Sequence, residues 1–552
     1  MASRLPKLLA RLTVFTLLVG LVTTLPASGK PARKVGASVL AHMSGSVATR
    51  YYMANPKQAP AQLQPRLAGL QRAIAQAKGA PRSGSLAPPV GDRFNLDTDG
   101  FPQNEESVAV CTSDTDIVVE GTNDYRGLLN VSGNFTGWHF SNNGGSSVAN
   151  EGFLPGVELS GGEVRPSGGD PVNFCQNVSG ASTLYAASLN YDPVDPFGLS
   201  NAIGGYKTTP ATLASCPGGD DASCWPTAVA VAESAPNHFL DKEWMAAGDT
   251  GDGVHVWFTW SDFDNTLPCC YADVMAARCL ADLSSCSAPI QIDDPVLDDD
   301  IQFSDVTVGV DGRTYFTYAR IIGEIEGTAQ SFVVKSRIAE AGCQTLGCLG
   351  PIQVVDSVAL ALPFGGFLQG NDFRIATVPK NIVKMVGGNP RFFVVFDECR
   401  YRLFDTVCEH PKIKIRYSDD DGASWSDITV VSKDAVNYFP SIANDTSDGK
   451  IVVAYFTNRY DHFENAQDIE LLTIDATTLA VLNRQRVTTD LTPNESEADP
   501  LLGGFFIGDY IEVAAVGGTA YVGYNMNIRN ISILGLGVAV PQQDNFLTVI
   551  DE

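Results

Sequence analysis

From Asn95 onward, short runs of alternating apolar and polar residues recur along the chain. The runs are rich in β-branched and aromatic residues and are bounded by Gly, Asp and Asn, as in DIVVEG, GVHVWFTW, RTYFTYA, RFFVVF, KIVVAYF and TAYVGYN. An alternation with a period of two is typical of strands. No helical pattern longer than about ten residues interrupts these runs. The pattern therefore predicts an all-β body and excludes repeated strand–helix–strand units.

Each run follows a lead-in that passes from polar to apolar residues, and these lead-ins repeat. They start at residues 104, 170, 241, 304, 371, 437 and 508, which gives a period of about 67 residues. A unit of this length has room for four strands and their turns, and four-stranded units repeated around an axis form a β-propeller. The sequence therefore predicts a β-propeller in which seven blades are favoured, with six as the competing count.

The stretch KIKIRYSDDDGASWSD, residues 412–427, reads as a strand, a tight acidic turn and the start of another strand. It fits the pattern S-x-D-x-G-x-[ST]-W, and SNNGGSSV at residues 141–148 repeats the register with Asn for Asp and Val for Trp. In such a turn a carboxylate accepts hydrogen bonds from nearby N–H groups, while Gly takes the positive φ angle. This predicts a structural turn formed by Ser418, Asp420, Gly422 and Trp425. The alternative, a calcium site, lacks the spacing of a ligating loop.

This turn resembles the Asp box of the sialidase-type (BNR-repeat) β-propellers. Lead-ins such as NEESVAV and FIGDYIEVAA are similar to those of secreted bacterial sialidase-like proteins, and the resemblance covers about residues 95–548. It implies that the Asp boxes lie at the outer rim of the blades and that a ligand funnel lies at one end of the central channel. It also implies that the partner is a glycan or a glycoconjugate.

The N-terminal part of the chain, residues 1–91, differs from the rest in its amino-acid composition. Residues 1–29 read as an export signal, in which basic residues precede an apolar run and small residues. Residues 30–91 are rich in Ala, Pro, Gln and Ser and are predicted to be a basic pro-segment or linker, mostly disordered or helical. Within this segment Leu63, Leu67, Leu70 and Ile74 recur at helical spacing. Residues 92–552 then form the predicted propeller.

The acidic residues are confined to the predicted propeller. The chain has 63 Asp and Glu and a net charge of −26, and residues 1–91 contain none of these acidic residues. A body this acidic repels nucleic acid and anionic membranes, so we expect neither as a partner. No stretch after the signal is long enough to span a bilayer. No cofactor is expected, and a structural calcium ion stays open as an alternative.

Twelve Cys, an even number, indicate disulfides and a secreted, periplasmic or cell-surface location. Several lie in close sequence pairs that would each close a short loop, with Cys111, Cys175, Cys269 and Cys270 completing the set. The close pairs are Cys216/Cys224, Cys279/Cys286, Cys343/Cys348 and Cys399/Cys408.

Ligands of such propellers sit where the innermost strand of each blade begins, so the polar residues that open the lead-ins are the site candidates. The catalytic candidates are Glu105, Asp372, Arg374, Asp509 and Tyr510. The ligand-binding candidates are Arg126, Asp241, Lys242, Asp305 and Arg459. The structural alternative is that these side chains satisfy neighbouring backbone groups, as polar residues at strand starts commonly do.

The resemblance implies a chemistry with three Arg on the substrate carboxylate, a Tyr nucleophile activated by a Glu, and an Asp as acid and base. The stretch FRIA, Phe373–Ala376, is similar to the Phe-Arg-Ile-Pro motif that carries the first Arg, but it lacks the Pro and lies in the fifth unit. Arg126, Arg374 and Arg459 are the candidate triad, and Tyr510 with Glu512 is the candidate nucleophile pair. Two hypotheses stay open: a carbohydrate-active enzyme (an exo-sialidase-like glycosidase or a polysaccharide lyase), and a non-catalytic propeller for adhesion or for glycan or protein binding.

Overall fold

The computed structural model describes most of the chain from residue 101 onward and a short part before it. The described residues are 40, 43–59, 64, 94, 101–266, 271–293, 300–322, 330–360, 367–368, 375–400, 407–446, 449–461, 466–488, 492–493, 506–530 and 540–552. The chain divides into two units, Met1–Lys34 and Val35–Glu552, and every described residue belongs to the second. The predicted helix through Leu63 and Ile74 lies outside the described residues except for position 64, which is helical.

The strands form successive antiparallel groups in chain order. The first group contains β1 (Gln103–Cys111), β2 (Asp114–Asp124), β3 (Thr136–Ser141) and β4 (Asn150–Phe153). A small hairpin follows, with β5 (Val157–Glu158) and β6 (Val164–Arg165). The second group contains β7 (Ser167–Val178), β8 (Ala181–Asn190), β9 (Ala202–Thr208) and β10 (Thr227–Glu233). The third contains β11 (His238–Asp249), β12 (Val254–Asp264), β13 (Ala272–Leu280) and β14 (Ile290–Gln291).

The remaining groups repeat this order. The fourth contains β15 (Asp300–Val308), β16 (Thr314–Ile322), β17 (Gln330–Ala339) and β18 (Gln353–Leu360). The fifth contains β19 (Phe367–Leu368), β20 (Lys380–Val386), β21 (Asn389–Arg400), β22 (Val407–Ser418) and β23 (Thr429–Val430). The sixth contains β24 (Asn437–Asn444), β25 (Lys450–Thr457), β26 (Ala466–Asp475), β27 (Val481–Arg486) and β28 (Thr492–Pro493). The last contains β29 (Glu512–Val516), β30 (Thr519–Asn530) and β31 (Val540–Asp551).

Helices are few among the described residues. The α-helices are α1 (Gly45–Ala54) and α2 (Pro210–Ser215). The 3₁₀ turns are Pro56–Gln58, Tyr125–Leu129, Ala222–Cys224 and Leu346–Cys348. In the part of the chain that the structure describes, no helix has the length and apolar character needed to cross a membrane.

The innermost strands of the groups close a ring. In chain order these strands are β1, β7, β11, β15, β20, β24 and β29; each lies next to the following one, and β29 lies next to β1. The backbone N–H of Phe94 also donates to the carbonyl of Asn545 in β31, so the start of the body pairs with its last strand. The predicted all-β propeller is therefore confirmed. The number of blades stays a prediction, because one parallel bridge joins the third and fourth groups and the last group has three strands.

Burial on both faces explains the composition of the strands. In β12, Trp257 and Trp260 point to opposite faces and both are almost fully buried, because each sheet packs between two neighbours. One large apolar cluster joins the second and third groups with part of the fourth, and another joins the rest of the fourth group to the fifth, sixth and last. The fifth lead-in differs from its prediction, since residues 375–379 form no strand and β20 begins only at Lys380.

Disulfides join the sheets and close short loops. Cys111–Cys175 connects β1 to β7. Three of the close pairs predicted from spacing are confirmed: Cys216–Cys224, Cys279–Cys286 and Cys343–Cys348. Cys399 is also disulfide-bonded, whereas the side chains of Cys269, Cys270 and Cys408 lie outside the described part of the chain. Such bonds restrict the unfolded chain and are typical of extracytoplasmic proteins.

The acidic turn of residues 418–425 connects β22 to β23 and is closed by its own side chains. The Ser418 hydroxyl accepts from the Gly422 N–H at 2.8 Å and donates to the Asp420 carboxylate at 2.8 Å. The carboxylate also accepts from the Ser424 N–H at 2.8 Å and from its hydroxyl at 2.6 Å. Gly422 has a φ of 79°, and the Trp425 ring lies 5.5 Å from that of Phe392 in β21.

The echo of this turn at residues 141–147, between β3 and β4, forms equivalent hydrogen bonds with one reversed: Asn143 Nδ2 donates to the Ser147 hydroxyl at 2.9 Å, whereas the Ser424 hydroxyl donates to Asp420. The Ser141 hydroxyl accepts from the Gly145 N–H at 3.0 Å and donates to the Asn143 amide oxygen at 2.7 Å. That oxygen accepts from the Ser147 N–H at 3.1 Å. The two turns therefore share one geometry, in which Asn143 takes the place of the aspartate.

Candidate functional site

Five of the innermost strands carry the same irregularity near their start. The register with the neighbouring strand shifts within β1, β7, β11, β15 and β24, as it does at a β-bulge. At each shift a residue other than Gly adopts a positive φ angle, a conformation that costs of order 1–3 kcal/mol and occurs often at functional sites. These residues are Glu105 (60°), Asp170 (55°), Lys242 (55°), Phe303 (58°) and Phe439 (49°).

Three of the five bulge residues are charged, and further charged side chains surround them. We call this group the inner cluster; its members are Glu105, Asp170, Asp241, Lys242, Glu243, Asp509 and Tyr510. All of them are buried or nearly so. The bulges explain the grouping, because an extra residue in a strand lets neighbouring side chains face the same region.

Glu105 contacts two other members of the inner cluster, Asp170 and Asp509. It accepts a hydrogen bond from Asn123 Nδ2 at 2.5 Å and another from the backbone N–H of Asp509 at 3.1 Å. Its carboxyl group also shares a hydrogen bond with that of Asp170. The backbone N–H of Asp170 donates to the Asn123 amide oxygen at 2.8 Å, so Asn123 holds both acidic residues.

The surroundings of the inner cluster favour the protonated form of its carboxyl groups, Asp170 among them. Burial raises the pKa of Asp170 well above its ordinary value, and the nearby charges of Glu105 and Asp241 raise it further, although Lys242 opposes the shift. Burial also raises the pKa of Glu243, with Asp170 as the next cause. Like charges held together in a place with little water cannot all ionise, so one of them stays protonated.

Lys242 is the cation of the inner cluster and already has a partner. Its ammonium group donates to Asp509 Oδ2 at 3.1 Å and lies 5.3 Å from the centre of the Phe303 ring. The cluster is therefore acidic on balance, and its electrostatic field disfavours anionic ligands.

Tyr510 does not have the surroundings of a nucleophile. Its hydroxyl donates to the carbonyl of Pro171 at 2.8 Å, and its ring lies edge-on to Trp244 at 5.3 Å. Burial, followed by the charge of Glu105, raises the pKa of Tyr510 well above its ordinary value. Glu512, its predicted partner, instead accepts from the Ser107 hydroxyl at 2.5 Å and from the Val108 N–H at 3.0 Å. An attacking tyrosine requires activation by a base, and these contacts supply none.

A central cavity of about 290 Å³ lies between the innermost strands, next to the inner cluster. Lys380, Asp305 and Glu512 line it. Burial is the main cause that lowers the pKa of Lys380 to about 8 and raises those of Asp305 and Glu512 to about 6 and about 7. Asp305 lies 3.7 Å from the Lys380 ammonium and accepts from the N–H and side-chain amide of Asn381 at 2.6 and 2.8 Å.

The structure brings together most of the described site candidates. Glu105, Asp241, Lys242, Asp509 and Tyr510 all belong to the inner cluster. Asp305 lies apart from them in the central cavity. Asp372 and Arg374 lie outside the described residues.

The two remaining arginine candidates lie in different sheets. Arg126 pairs with Asp124 and, at 2.9 Å, with Glu151, both in the first group. Arg459 pairs with Glu470 of the sixth group at 2.6 Å. Each arginine is thus held by carboxylates of its own sheet, and these contacts give no support to an arginine triad.

Sequence reasoning missed Asp170 and Glu243. Both lie in lead-ins that were recognised, DPVNFCQ and DKEWMAAG, but a strict alternation assigns Glu243 to the face opposite Lys242. The bulge breaks that alternation. A signal was present, because an acidic residue recurs at the bulge position of Glu105 and Asp170.

Among the described residues, no group of three or more His, Cys, Asp or Glu side chains is placed to hold a metal ion. The structural calcium ion stays a hypothesis.

Comparisons with known proteins identify no family. No protein-family model matches the sequence, and no curated protein matches it. Among solved structures, the chain is similar to an α-L-arabinanase from Penicillium chrysogenum, with 12% identity, a TM-score of 0.41, and 71% of this chain and 100% of the other covered.

Two sialidases are also among the similar structures. A Hadza microbial sialidase has 14% identity and a TM-score of 0.38, with 74% of this chain and 73% of the other covered. A Trypanosoma rangeli sialidase has 10% identity and a TM-score of 0.36, with 71% and 56% covered. Likeness at this level carries no argument, and the assignment as a propeller rests on the ring of strands.

Proposed function

We propose that the chain is an exported glycoside hydrolase that acts on a neutral glycan, with the inner cluster as its active site. The observation that carries this proposal is the group of buried carboxyl groups, Glu105, Asp170 and Asp241, held together at the bulges of the inner strands. The raised pKa of Asp170 supports a role as an acid. Glycoside hydrolysis commonly requires one carboxylic acid to protonate the leaving oxygen and one carboxylate to act as base or nucleophile.

The contacts suggest a role for each carboxylate. Asp170 is the general acid. Asp241 is the base or nucleophile. Its Oδ2 atom accepts a hydrogen bond at 2.7 Å from the N–H of Ser44, a residue outside the propeller sheets. Asp241 therefore faces the side of the cluster from which a ligand would enter. Glu105 is a positioning residue, because its hydrogen bond to Asp170 holds the proton there.

The charge of the cluster favours neutral over acidic sugars. A sialic acid carboxylate would have to enter among several carboxyl groups, where Lys242 is already paired with Asp509. Like-charge contacts of this kind cost several kcal/mol in a binding site. We therefore expect little or no turnover of a fluorogenic sialoside.

The test is a panel of fluorogenic neutral glycosides, with a sialoside beside them, assayed on the mature chain. Asp170→Asn and Asp241→Asn should each lower kcat by about 10²–10⁴-fold on the glycoside that is cleaved. Asp427→Asn, at an exposed residue, is the matched control and should leave kcat unchanged. Saturable cleavage of the sialoside, lost in Arg374→Ala, would overturn the choice of substrate and of catalytic residues.

The alternative, a non-catalytic glycan-binding or protein-binding propeller, is favoured by one observation. Glu105, Asp170 and Asp241 are at most 3% exposed, so the cluster is closed in this state. A glycan array separates the two functions. Binding without turnover, unchanged in Asp170→Asn, would support the binding protein.

A further inference from the structure

Helix α1 lies directly on the inner cluster. Eight consecutive residues, Gly45–Tyr52, are buried, although they belong to a polar and basic segment before the propeller. The helix shares an apolar core with Tyr191, Phe239 and Trp244 from the second and third groups. A short N-terminal segment thus covers the place where the proposed catalytic carboxylates meet.

The start of the helix reaches the carboxylates themselves. The N–H of Ser44 donates to Asp241 at 2.7 Å. A Cβ atom added to Gly169, the residue before Asp170, would lie 2.8 Å from the Ser46 hydroxyl oxygen, so this hydroxyl touches the backbone of the second bulge. The segment therefore occupies the space that a ligand of Asp170 and Asp241 would need.

A second contact depends on a glycine. A Cβ atom added to Gly45 would lie 2.3 Å from the Phe506 ring, which is closer than non-bonded carbon atoms approach. Only Gly allows the helix to pack this closely against the segment that leads into β29.

The same contact surface also has features that weaken it. Arg50 is 4% exposed, and its guanidinium lies 4.5 Å from the Phe135 ring and 5.4 Å from the Tyr191 ring. One of its nitrogens donates to the carbonyl of Gly133 at 3.2 Å, while Nε and Nη1 have no acceptor among the described residues. Buried donors without acceptors cost free energy. The Ser44 side chain does not cap the helix, and a helix of ten residues is marginal in water.

We propose that residues 43–59 are an autoinhibitory plug, which blocks Asp170 and Asp241 and must leave the inner cluster before a glycan can bind. The proposal rests on the proposed function, because it regulates that same site. Charge supports the pairing, since residues 1–91 contain no acidic residue and the body carries all 63. The contact is close enough to exclude a ligand, and the two Arg50 nitrogens without acceptors among the described residues make its release less costly.

The experiment compares variants that change the contacts of the plug with matched controls in the full mature chain. Gly45→Val places two methyl groups against Phe506, and Ala54→Val makes the same type of change at an exposed position of the same helix. Arg50→Gln removes the buried cation, and Lys57→Gln removes an exposed one. Overpacking of this kind shifts a two-state equilibrium by about tenfold to a hundredfold. We therefore expect kcat/KM on the cleaved glycoside to rise by at least about tenfold in Gly45→Val and to stay unchanged in both controls. Arg50→Gln removes donors that weaken the contact, so it should not raise kcat/KM.

A second measurement does not depend on activity. A fluorescent synthetic peptide of residues 43–59 should bind the Gly45→Val chain, as measured by an increase in its fluorescence anisotropy. It should bind the wild-type chain far more weakly, because the chain's own plug competes. Added to Gly45→Val, the peptide should also reverse the gain in kcat/KM. Hydrogen exchange of residues 43–59 should be faster in Gly45→Val than in Ala54→Val.

The outcomes separate the two proposals. If Gly45→Val lowers Tm with no gain in turnover, and the peptide binds neither the wild-type nor the Gly45→Val chain, α1 is a permanent part of the core and the plug is refuted. If the peptide binds Gly45→Val but no chain cleaves any glycoside of the panel, the plug stands and the proposed enzyme falls. Binding together with a reversible gain in kcat/KM supports both.

Discussion

The turn at residues 418–425 and the inner cluster both combine polar side chains with positive φ angles. They differ in how far those side chains are exposed and hydrogen-bonded. In the turn the Asp420 carboxylate is exposed and accepts three hydrogen bonds from Ser418 and Ser424. In the cluster, Glu105 and Asp170 adopt the strained angle themselves, are buried, and raise the pKa of their neighbours. The polar residues of the turn stabilise the folded chain through their hydrogen bonds. The buried carboxylates of the inner cluster do not stabilise it in this way.

This difference offers a way to separate structural from functional polar residues. The bonds of Asp420 to Ser418 and Ser424 hold its pKa below the usual range, which means that the folded state favours its charged form. Burial raises the pKa of Glu243 and Asp170, which means that the folded state opposes their charge. Residues that a fold keeps at a cost to its own stability are therefore candidates for a function.

The largest expected effect on stability belongs to a carboxylate that touches one of the bulges. Asp397 of β21 is 2% exposed and accepts from the N–H of the bulge residue Phe439 at 3.4 Å. Burial raises its pKa from 3.8 to about 7. The folded state therefore keeps a proton that the unfolded chain loses, and the stability present below pH about 4 falls as the pH rises to about 7. Asp397→Asn should raise the free energy of unfolding at pH 8 by up to about 4 kcal/mol and change it little at pH 4.

Urea unfolding at both pH values measures this effect, with Asp427→Asn as the exposed control. A loss of stability at pH 8 in Asp397→Asn would show that the carboxylate is needed where it is. Asp397 would then be a carboxylate that stabilises the fold, like Asp420, and not one kept at a cost to stability, like those of the inner cluster.

The next effect concerns the turns. The Ser418 hydroxyl is 2% exposed and accepts from two backbone N–H groups, those of Asp420 and Gly422. Ser418→Ala leaves both donors without their acceptor and should lower the free energy of unfolding by about 1–3 kcal/mol. Ser141→Ala in the first group should cost a similar amount, since its hydroxyl accepts from Asn143 and Gly145.

Thermal unfolding measures both serine variants, and Ser285→Ala, at an exposed serine, is the control. If Ser141→Ala cost nothing while Ser418→Ala destabilised the protein, the two turns would not be equivalent despite their shared geometry. The two turns would then share a backbone geometry but not the contribution of the serine to stability.

The fold was accessible from the sequence because it repeats. Alternation and the period of about 67 residues predict strands and their grouping without reference to long-range contacts. The fifth unit shows the limit of this reasoning, because the polar-to-apolar lead-in at residue 371 precedes the strand that begins at Lys380. A pattern of polarity does not distinguish a strand from an extended segment that leads into one.

The site was only partly accessible for two physical reasons. Bulges change the face of the following residues, so Glu243 could not be assigned from alternation. The burial of the cluster by α1 depends on contacts between residues far apart in the sequence, such as Ser44 and Asp241. Arg126 and Arg459 have suitable chemistry but are held by carboxylates of their own sheets, and these contacts also could not be read from the alternation.

The smallest expected effect is the sharpest test of the comparison. In the first group, Asn143 occupies the position of Asp420 and forms the equivalent bonds to Ser141 and Ser147 with its amide oxygen, while its amide nitrogen donates to the Ser147 hydroxyl at 2.9 Å. Asp420→Asn should therefore shift Tm by less than about 2 °C at pH 7, because a surface change that keeps its bonds is nearly neutral. The pKa of Asp420 is lowered, so the wild-type turn keeps its stability above pH about 3.8 and loses it as the pH falls further. The asparagine variant cannot titrate and should lack that acid loss. A large Tm drop at pH 7 would mean that the negative charge itself is required, and the turn would then need to be examined as a cation site.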